Sequence, residues 1–210
     1  MILPYLPLLN SKQIVLASQS PRRLQILQQV GLKFTVNVSR FEENLDKSSM
    51  TPEEYVKANA KGKAFDVYDR LKKEGNGVVP DLVIGCDTVV ELNGKILEKP
   101  KSYDGACKML SELSGRAHNV FSGVVLISHL RNEDTPTVKV FAEKTEVRMA
   151  TLSEELIKAY VDTKEPMDKA GAYGIQGIGG CLISGIEGCY YNVMGFPLHR
   201  FCSELLTLLP

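Results

Sequence analysis

The sequence predicts an α/β fold, on three observations. The short apolar run Ile14-Val15-Leu16-Ala17 gives way at Ser20-Pro21 to a segment of helical spacing. The capping box Thr51-Pro-Glu-Glu54 opens a second, longer helix. After it comes DLVIGC, Asp81 to Cys86, whose continuous apolar run reads as a buried strand. Strands and helices alternate along the rest of the chain, without repeats, low-complexity tracts or an interdomain linker, so residues 1–210 are expected to form a single domain.

Taken in order, Ile14–Ala17 is the first strand and the helix after it carries Leu24, Leu27 and Val30 until Gly31 closes it. Ser20 is suited to the N-cap, and Pro21 to the first helical position, where its missing N–H would have no partner anyway. Arg22 and Arg23 then fall in the first turn, where the helix dipole disfavours positive charge. An anion bound there would favour them, because free N–H groups and guanidinium forks both suit phosphate oxygens. Phe34–Val38 alternates as a second strand. The helix from Thr51 to about Lys73 has the apolar stripe Val56, Ala60, Ala64, Val67 and Leu71, with Lys63 just beyond its edge. Gly75-Asn-Gly77 is a loop. A hairpin is expected over Val89–Leu97, turned at Asn93-Gly94. A helix near Tyr103–Leu113 follows, then strands Val120–Ser128 and Lys139–Met149 around a loop at 130–137. Ser153 caps a helix to about Val161, and Phe196–Leu208 is a closing amphipathic helix.

Composition excludes several classes of function. Lys+Arg and Asp+Glu balance at 25 each, so no overall field draws the chain to nucleic acid or an anionic membrane, and a phosphate site must be local. Five scattered cysteines show no paired metal spacing; they suit reduced thiols in a cytoplasmic protein better than a disulfide framework or a zinc site. Met1–Leu9 is apolar but short, holds two prolines and has no basic n-region, so neither a signal peptide nor a membrane span is expected.

Asp87 and Thr88 lie between the apolar strand and the hairpin, which places Asp87 at an expected strand end, where ligands collect in such sheets. A carboxylate there can be a metal ligand, a general base or a cap. Lys99, in Leu97-Glu-Lys-Pro100, is expected to face the same end. Glu42-Glu43, read alone, is surface charge. The glycine-rich run Lys169–Gly177 holds the polar Gln176 where small residues permit close approach of a ligand.

Seven stretches occur in one order: LASQSPRR, the EEN loop, Lys63-Ala64, IGCDTVV, ILEKP, GRAHNVFSGV and EPMDKAGAYGIQG. In these the chain resembles the Maf family of nucleoside triphosphate pyrophosphatases from about Ile14 to Leu206, and within it the branch acting on dTTP and UTP. It is similar also to the amino-terminal half of animal proteins that join a Maf domain to a methyltransferase-like domain. The resemblance implies an elongated mixed sheet flanked by helices, two lobes around a central cleft, and a homodimer. It implies hydrolysis of the α–β phosphoanhydride to a nucleoside monophosphate and pyrophosphate, with Mg²⁺ or Mn²⁺ as cofactor.

Carried onto this sequence, the family's phosphate-binding serine and arginines fall on Ser18, Arg22 and Arg23, and its acidic metal and catalytic positions on Glu43 and Asp87. Its cleft lysines fall on Lys63 and Lys99, and its base-discriminating trio on Arg22, Thr88 and Gln176. The Gln176 amide has a donor and an acceptor to match the O4 and N3–H edge of uracil or thymine. Cys86 stands where the family usually has alanine, a thiol that would make the site oxidisable. Two alternatives stay open: a non-catalytic nucleotide-sensing regulator of cell division, with which the family is linked, and a nucleotidyltransferase that uses an acceptor other than water.

Overall fold

The computed structural model describes residues 1–75, 77–131 and 134–210. The expected loops at 75–77 and 130–137 include Asn76, Asn132 and Glu133, which lie outside the described residues. Seven strands form one mixed sheet: β1 Ile14–Ala17, β2 Thr35–Val36, β3 Leu82–Leu92, β4 Lys95–Leu97, β5 Ala117–Ser128, β6 Thr137–Met149 and β7 Ile183–Glu187. Their order is β2-β1-β3-β5-β6-β7, with β4 also on β3. β1 pairs in parallel with β2 and β3; the remaining pairs are antiparallel. The helices are α1 Leu6–Leu9, α2 Pro21–Gln29, α3 Pro52–Glu74, α4 Tyr103–Leu113, α5 Glu154–Asp162, α6 Tyr190–Met194 and α7 Leu198–Leu206.

Local chemistry explains the elements that matter for the site. The Thr51 and Glu54 side chains each bond the other residue's backbone N–H, forming the capping box that starts α3. Asn93 and Gly94 take φ of 51° and 81°, the paired positive values that a tight hairpin turn between β3 and β4 requires. Ser20 takes the N-cap position of α2, but its side chain makes no capping bond; its own N–H is instead tied to Ser18 Oγ at 3.2 Å. The buried face of α2 is Arg23, Ile26 and Leu27 rather than the expected Leu24, Leu27 and Val30. The second strand is reduced to two exposed residues, Thr35 and Val36.

The larger correction concerns β3. In place of a strand ending at Cys86 and a separate hairpin, it runs unbroken from Leu82 to Leu92, and Asp87 sits in its interior opposite Gly123 of β5. The functional opening comes from the other edge of β3. There β1 covers Leu82–Gly85 and β4 covers Val90–Leu92. Cys86 to Val89 are left between them, and the sheet edge gapes at that point.

Alternation along β3 sorts the packing. Leu82 and Ile84 face a core shared with Ile26, Leu27, Phe196, Phe201 and Leu205. On the same face, past the gap, Val90 and Leu92 join a second core with Leu110, Leu113, Ile157 and Tyr160. These two cores make two lobes with a cleft between them. The opposite face packs on α3 through Val83 with Ala60, Ala64 and Val67. The apolar N-terminus belongs to the first core: Ile2 and Leu9 are fully buried. Among the described residues no helix is long and apolar enough to cross a membrane.

His118 of β5 contributes a pH-dependent element to the second lobe. It is buried, with Nε2 2.6 Å from the Tyr173 hydroxyl, and burial pushes its pKa down to about 4. Between the ordinary histidine value near 6.5 and about 4, the unfolded chain binds a proton that the folded protein refuses. Stability is therefore expected to fall by about 3 kcal/mol as the pH drops through that window. Denaturant titrations at pH 7 and pH 4 should show the loss, and His118→Gln should flatten it.

Candidate active site

α3 can deliver side chains to β3 because glycines let its backbone touch the sheet. A Cβ on Gly85 would stand 2.4 Å from the Ala60 carbonyl oxygen, and one on Gly123 2.4 Å from that of Val56. Asp87 lies two residues from Gly85 on the same face, so the helix lowers Asn59 and Lys63, one turn apart, onto its carboxylate. Lys63 Nζ lies 2.8 Å from Asp87 Oδ1, and Asn59 Nδ2 donates to Oδ2 at 3.2 Å. Burial alone would raise the Asp87 carboxyl. The Lys63 charge and hydrogen bond, with Arg23 behind them, outweigh it and hold Asp87 below the ordinary aspartate value. Asp87 is thus ionised throughout the neutral range.

Glu43, from the loop after β2, completes an acid–base–acid bridge: its Oε2 lies 2.8 Å from the same Lys63 Nζ. Two carboxylate oxygens already converge on one cation. That donor set fits a hard divalent ion that takes one or two carboxylates and completes its shell with water and phosphate oxygens. Among the described residues no three His, Cys, Asp or Glu side chains cluster as a protein-only metal cage.

The other face of the β3 gap is organised by Arg23. Only 9 % exposed, it donates through Nε to the Gly195 carbonyl at 2.9 Å, through Nη1 to Ser18 Oγ at 3.1 Å and through Nη2 to Thr88 Oγ1 at 3.0 Å. Its fork ties β1, β3 and the end of α6 together. Arg22, by contrast, reaches across the cleft: its Nη1 lies 2.9 Å from Asp168 Oδ2. Lys99 is exposed at the cleft, with no ion pair among the described residues. Gln176 is half-buried, and its carboxamide has no hydrogen-bond partner among the described residues.

One cavity of about 620 Å³ is lined by all of Ser18, Arg22, Arg23, Glu43, Lys63, Asp87, Thr88, Lys99 and Gln176. Its volume falls within the range of small-molecule sites. A family model described as Maf-like protein matches residues 13–208. The chain belongs to the Maf family.

Curated relatives agree with that membership. The human "Probable bifunctional dTTP/UTP pyrophosphatase/methyltransferase protein" is 48 % identical over 98 % of this chain and 33 % of its own length. The chain thus spans about a third of that relative. The "dTTP/UTP pyrophosphatase" of Clostridium perfringens strain ATCC 13124 is 47 % identical, covering 92 % of this chain and 95 % of its own. That of Acetivibrio thermocellus is 45 % identical, covering 92 % and 94 %. A solved structure, the Staphylococcus aureus Ham1 protein, is 20 % identical over 82 % of this chain and 80 % of its own, with a TM-score of 0.40.

Within the Maf chain, the structure adds residues that sequence reading passed over. Asn59 is fully buried in the α3 stripe and holds the second Asp87 oxygen; a polar residue between Val56 and Lys63 on an otherwise apolar face was the available signal. Glu165 accepts from Ile178 N at 3.0 Å, Gly179 N at 2.9 Å and the Tyr160 hydroxyl at 3.0 Å, and so fixes the turn that begins at Gln176. The expectation of an oxidisable Cys86 meets a contrary environment. Its thiol is fully buried, and burial raises its pKa, which keeps it protonated and weakly reactive.

Proposed function

We propose that this Maf chain is a nucleoside triphosphate pyrophosphatase that converts dTTP and UTP to their monophosphates and pyrophosphate, and that it works as a cytoplasmic homodimer. The observation that carries the reading is the convergence of Glu43 and Asp87 on Lys63 in a cavity that also holds Lys99 and Gln176. An acidic pair beside an uncommitted cation suits a triphosphate, and the carboxamide suits a pyrimidine edge. The names of relatives sharing 45–48 % identity point the same way.

In this reading Lys99 neutralises phosphate oxygens, and Arg23 acts through Ser18, whose hydroxyl it holds at the start of α2. Asp87 orients the attacking water toward the α-phosphorus. A carboxylate held below its ordinary pKa is a weak base, which favours orientation over outright deprotonation. Glu43 and Asp87 would hold Mg²⁺ or Mn²⁺, which when bound supplies charge to the phosphates and lowers the pKa of water. A nucleotidyltransferase would need a second acceptor, and a regulator would show no turnover.

The test is pyrophosphate release across a nucleotide panel, with Gln176→Leu beside the wild type. The variant removes a donor and an acceptor, each worth about 1–3 kcal/mol when its partner is left unpaired. Its kcat/KM for dTTP and UTP is expected to fall by about 10-fold or more, with smaller losses on purine nucleotides. An unchanged ratio of UTP to GTP turnover would remove Gln176 as the reader of the base.

A further inference from the structure

Resting on the pyrophosphatase reading, we propose that Asp168 is a specificity-determining positioning residue, which draws the Arg22 guanidinium away from the triphosphate and presents it at the nucleobase end of the cleft. Arg22 leaves the first turn of α2, where a free guanidinium would belong to any anion at the helix start. Instead both arms of its fork are taken by one residue of the opposite lobe. Nη1 donates to Asp168 Oδ2 at 2.9 Å, and Nη2 donates to the Asp168 main-chain oxygen at 3.2 Å. Such two-point capture fixes the plane of a guanidinium as well as its position.

Asp168 is itself braced. Its other carboxylate oxygen, Oδ1, accepts from Lys169 Nζ at 2.7 Å, and the same ammonium donates to the Glu165 carbonyl at 2.5 Å. The Lys169 side chain is only 13 % exposed, whereas the Asp168 side chain is 55 % exposed, so the brace is anchored at its lysine end and open to water at the carboxylate. Burial would raise the Asp168 carboxyl, but Lys169 and Arg22 outweigh it and keep it ionised near neutral pH. Residues 165–168 form one short 3-10 turn. At its start Glu165 clamps the Ile178 and Gly179 N–H groups just beyond Gln176, and at its end Asp168 holds Arg22. A single turn therefore braces Arg22 and the backbone that follows Gln176, both of which line the cavity. Lys99 gives the contrast: with no acidic partner among the described residues, its charge is available to phosphate. Arg22 shares the Asp168 carboxylate with Lys169, so its position is fixed by Asp168, and its remaining donors and flat face are left for recognition.

The experiment uses the full chain as wild type, Asp168→Ala, Asp168→Glu, Arg22→Ala and the Arg22→Ala/Asp168→Ala double variant. It measures kcat and KM for UTP, CTP and GTP, and inhibition by tripolyphosphate, which has phosphates and no base. Asp168→Ala is expected to lower the UTP-to-GTP ratio of kcat/KM by about 10-fold, mainly through KM for UTP, the size of one lost specificity contact. Tripolyphosphate inhibition should tighten by about two-fold or more in Asp168→Ala, because the released Arg22 guanidinium becomes available to phosphate, and should not tighten in the double variant. Asp168→Glu should recover part of the ratio, and the double variant should match Arg22→Ala. An unchanged ratio in Asp168→Ala overturns the inference, as does tripolyphosphate inhibition that fails to tighten, which would mean that Asp168 does not hold Arg22 off the phosphates. A wild type without pyrimidine preference overturns the dTTP and UTP assignment and this inference together, whereas a preference that survives in Asp168→Ala overturns this inference alone.

Discussion

Asp87→Asn is expected to lower turnover of dTTP and UTP by at least about 100-fold with the fold intact, the low end for losing a positioned acid or base. Asparagine keeps the shape of the buried side chain. It also leaves Lys63 its second partner, Glu43, at 2.8 Å. What goes is the negative charge that, in the proposed function, orients water and offers an oxygen to a cation. The loss should therefore appear in kcat, with a thermal melt close to wild type and nucleotide binding retained. A fully active Asp87→Asn would make Asp87 a structural filler of the β3 gap.

Lys63→Met is expected to damage stability as well as activity. The Asp87 side chain is only 9 % exposed, and Lys63 is its direct ionic partner. Removing one member of a buried pair costs about 3–5 kcal/mol, because the other charge is left uncompensated. The wild-type Asp87 pKa is depressed, so its contribution to stability is present above the unfolded value near 3.8 and is lost as the pH falls through the lower folded value. In Lys63→Met burial acts unopposed by the ammonium, and Asp87 takes up a proton more readily. The difference in stability between the two proteins should then be large at pH 7 and shrink as the pH approaches 4. The Lys63→Met/Asp87→Asn double variant, with no charge left on the pair, should recover much of the lost stability at pH 7. Denaturant midpoints measured for all four combinations form the cycle that tests this. Equal loss at both pH values would show that Lys63 stabilises through packing of its stem.

Both variants act where sequence alone was least able to see. Periodicity and capping chemistry made β1, α3, α4, β5, β6 and the Asn93-Gly94 turn legible, because each depends on residues near in sequence. The same local logic misread β3. A polar Asp-Thr pair after an apolar run resembles a strand end, and only the sheet order reveals that β1 and β4 leave this stretch uncovered. β7 was invisible because it is short, partly exposed and joined to β6 through a bulge at Arg148–Met149. For the site, the resemblance supplied a set of residues, and the structure gathers that set around one cavity. It could not supply their partnerships. That Arg23 is consumed by Ser18, Thr88 and Gly195 while Arg22 crosses to Asp168 depends on contacts between residues up to 172 positions apart.

In the proposed function the cleft directs water to the bond between the α- and β-phosphates. The direct measurement is ³¹P NMR of the products formed from dTTP and from UTP by the purified wild type with Mg²⁺ or Mn²⁺. A nucleoside monophosphate and pyrophosphate are expected in equal amounts, with no added acceptor required. Orthophosphate with a nucleoside diphosphate, or no turnover of either nucleotide, would contradict it.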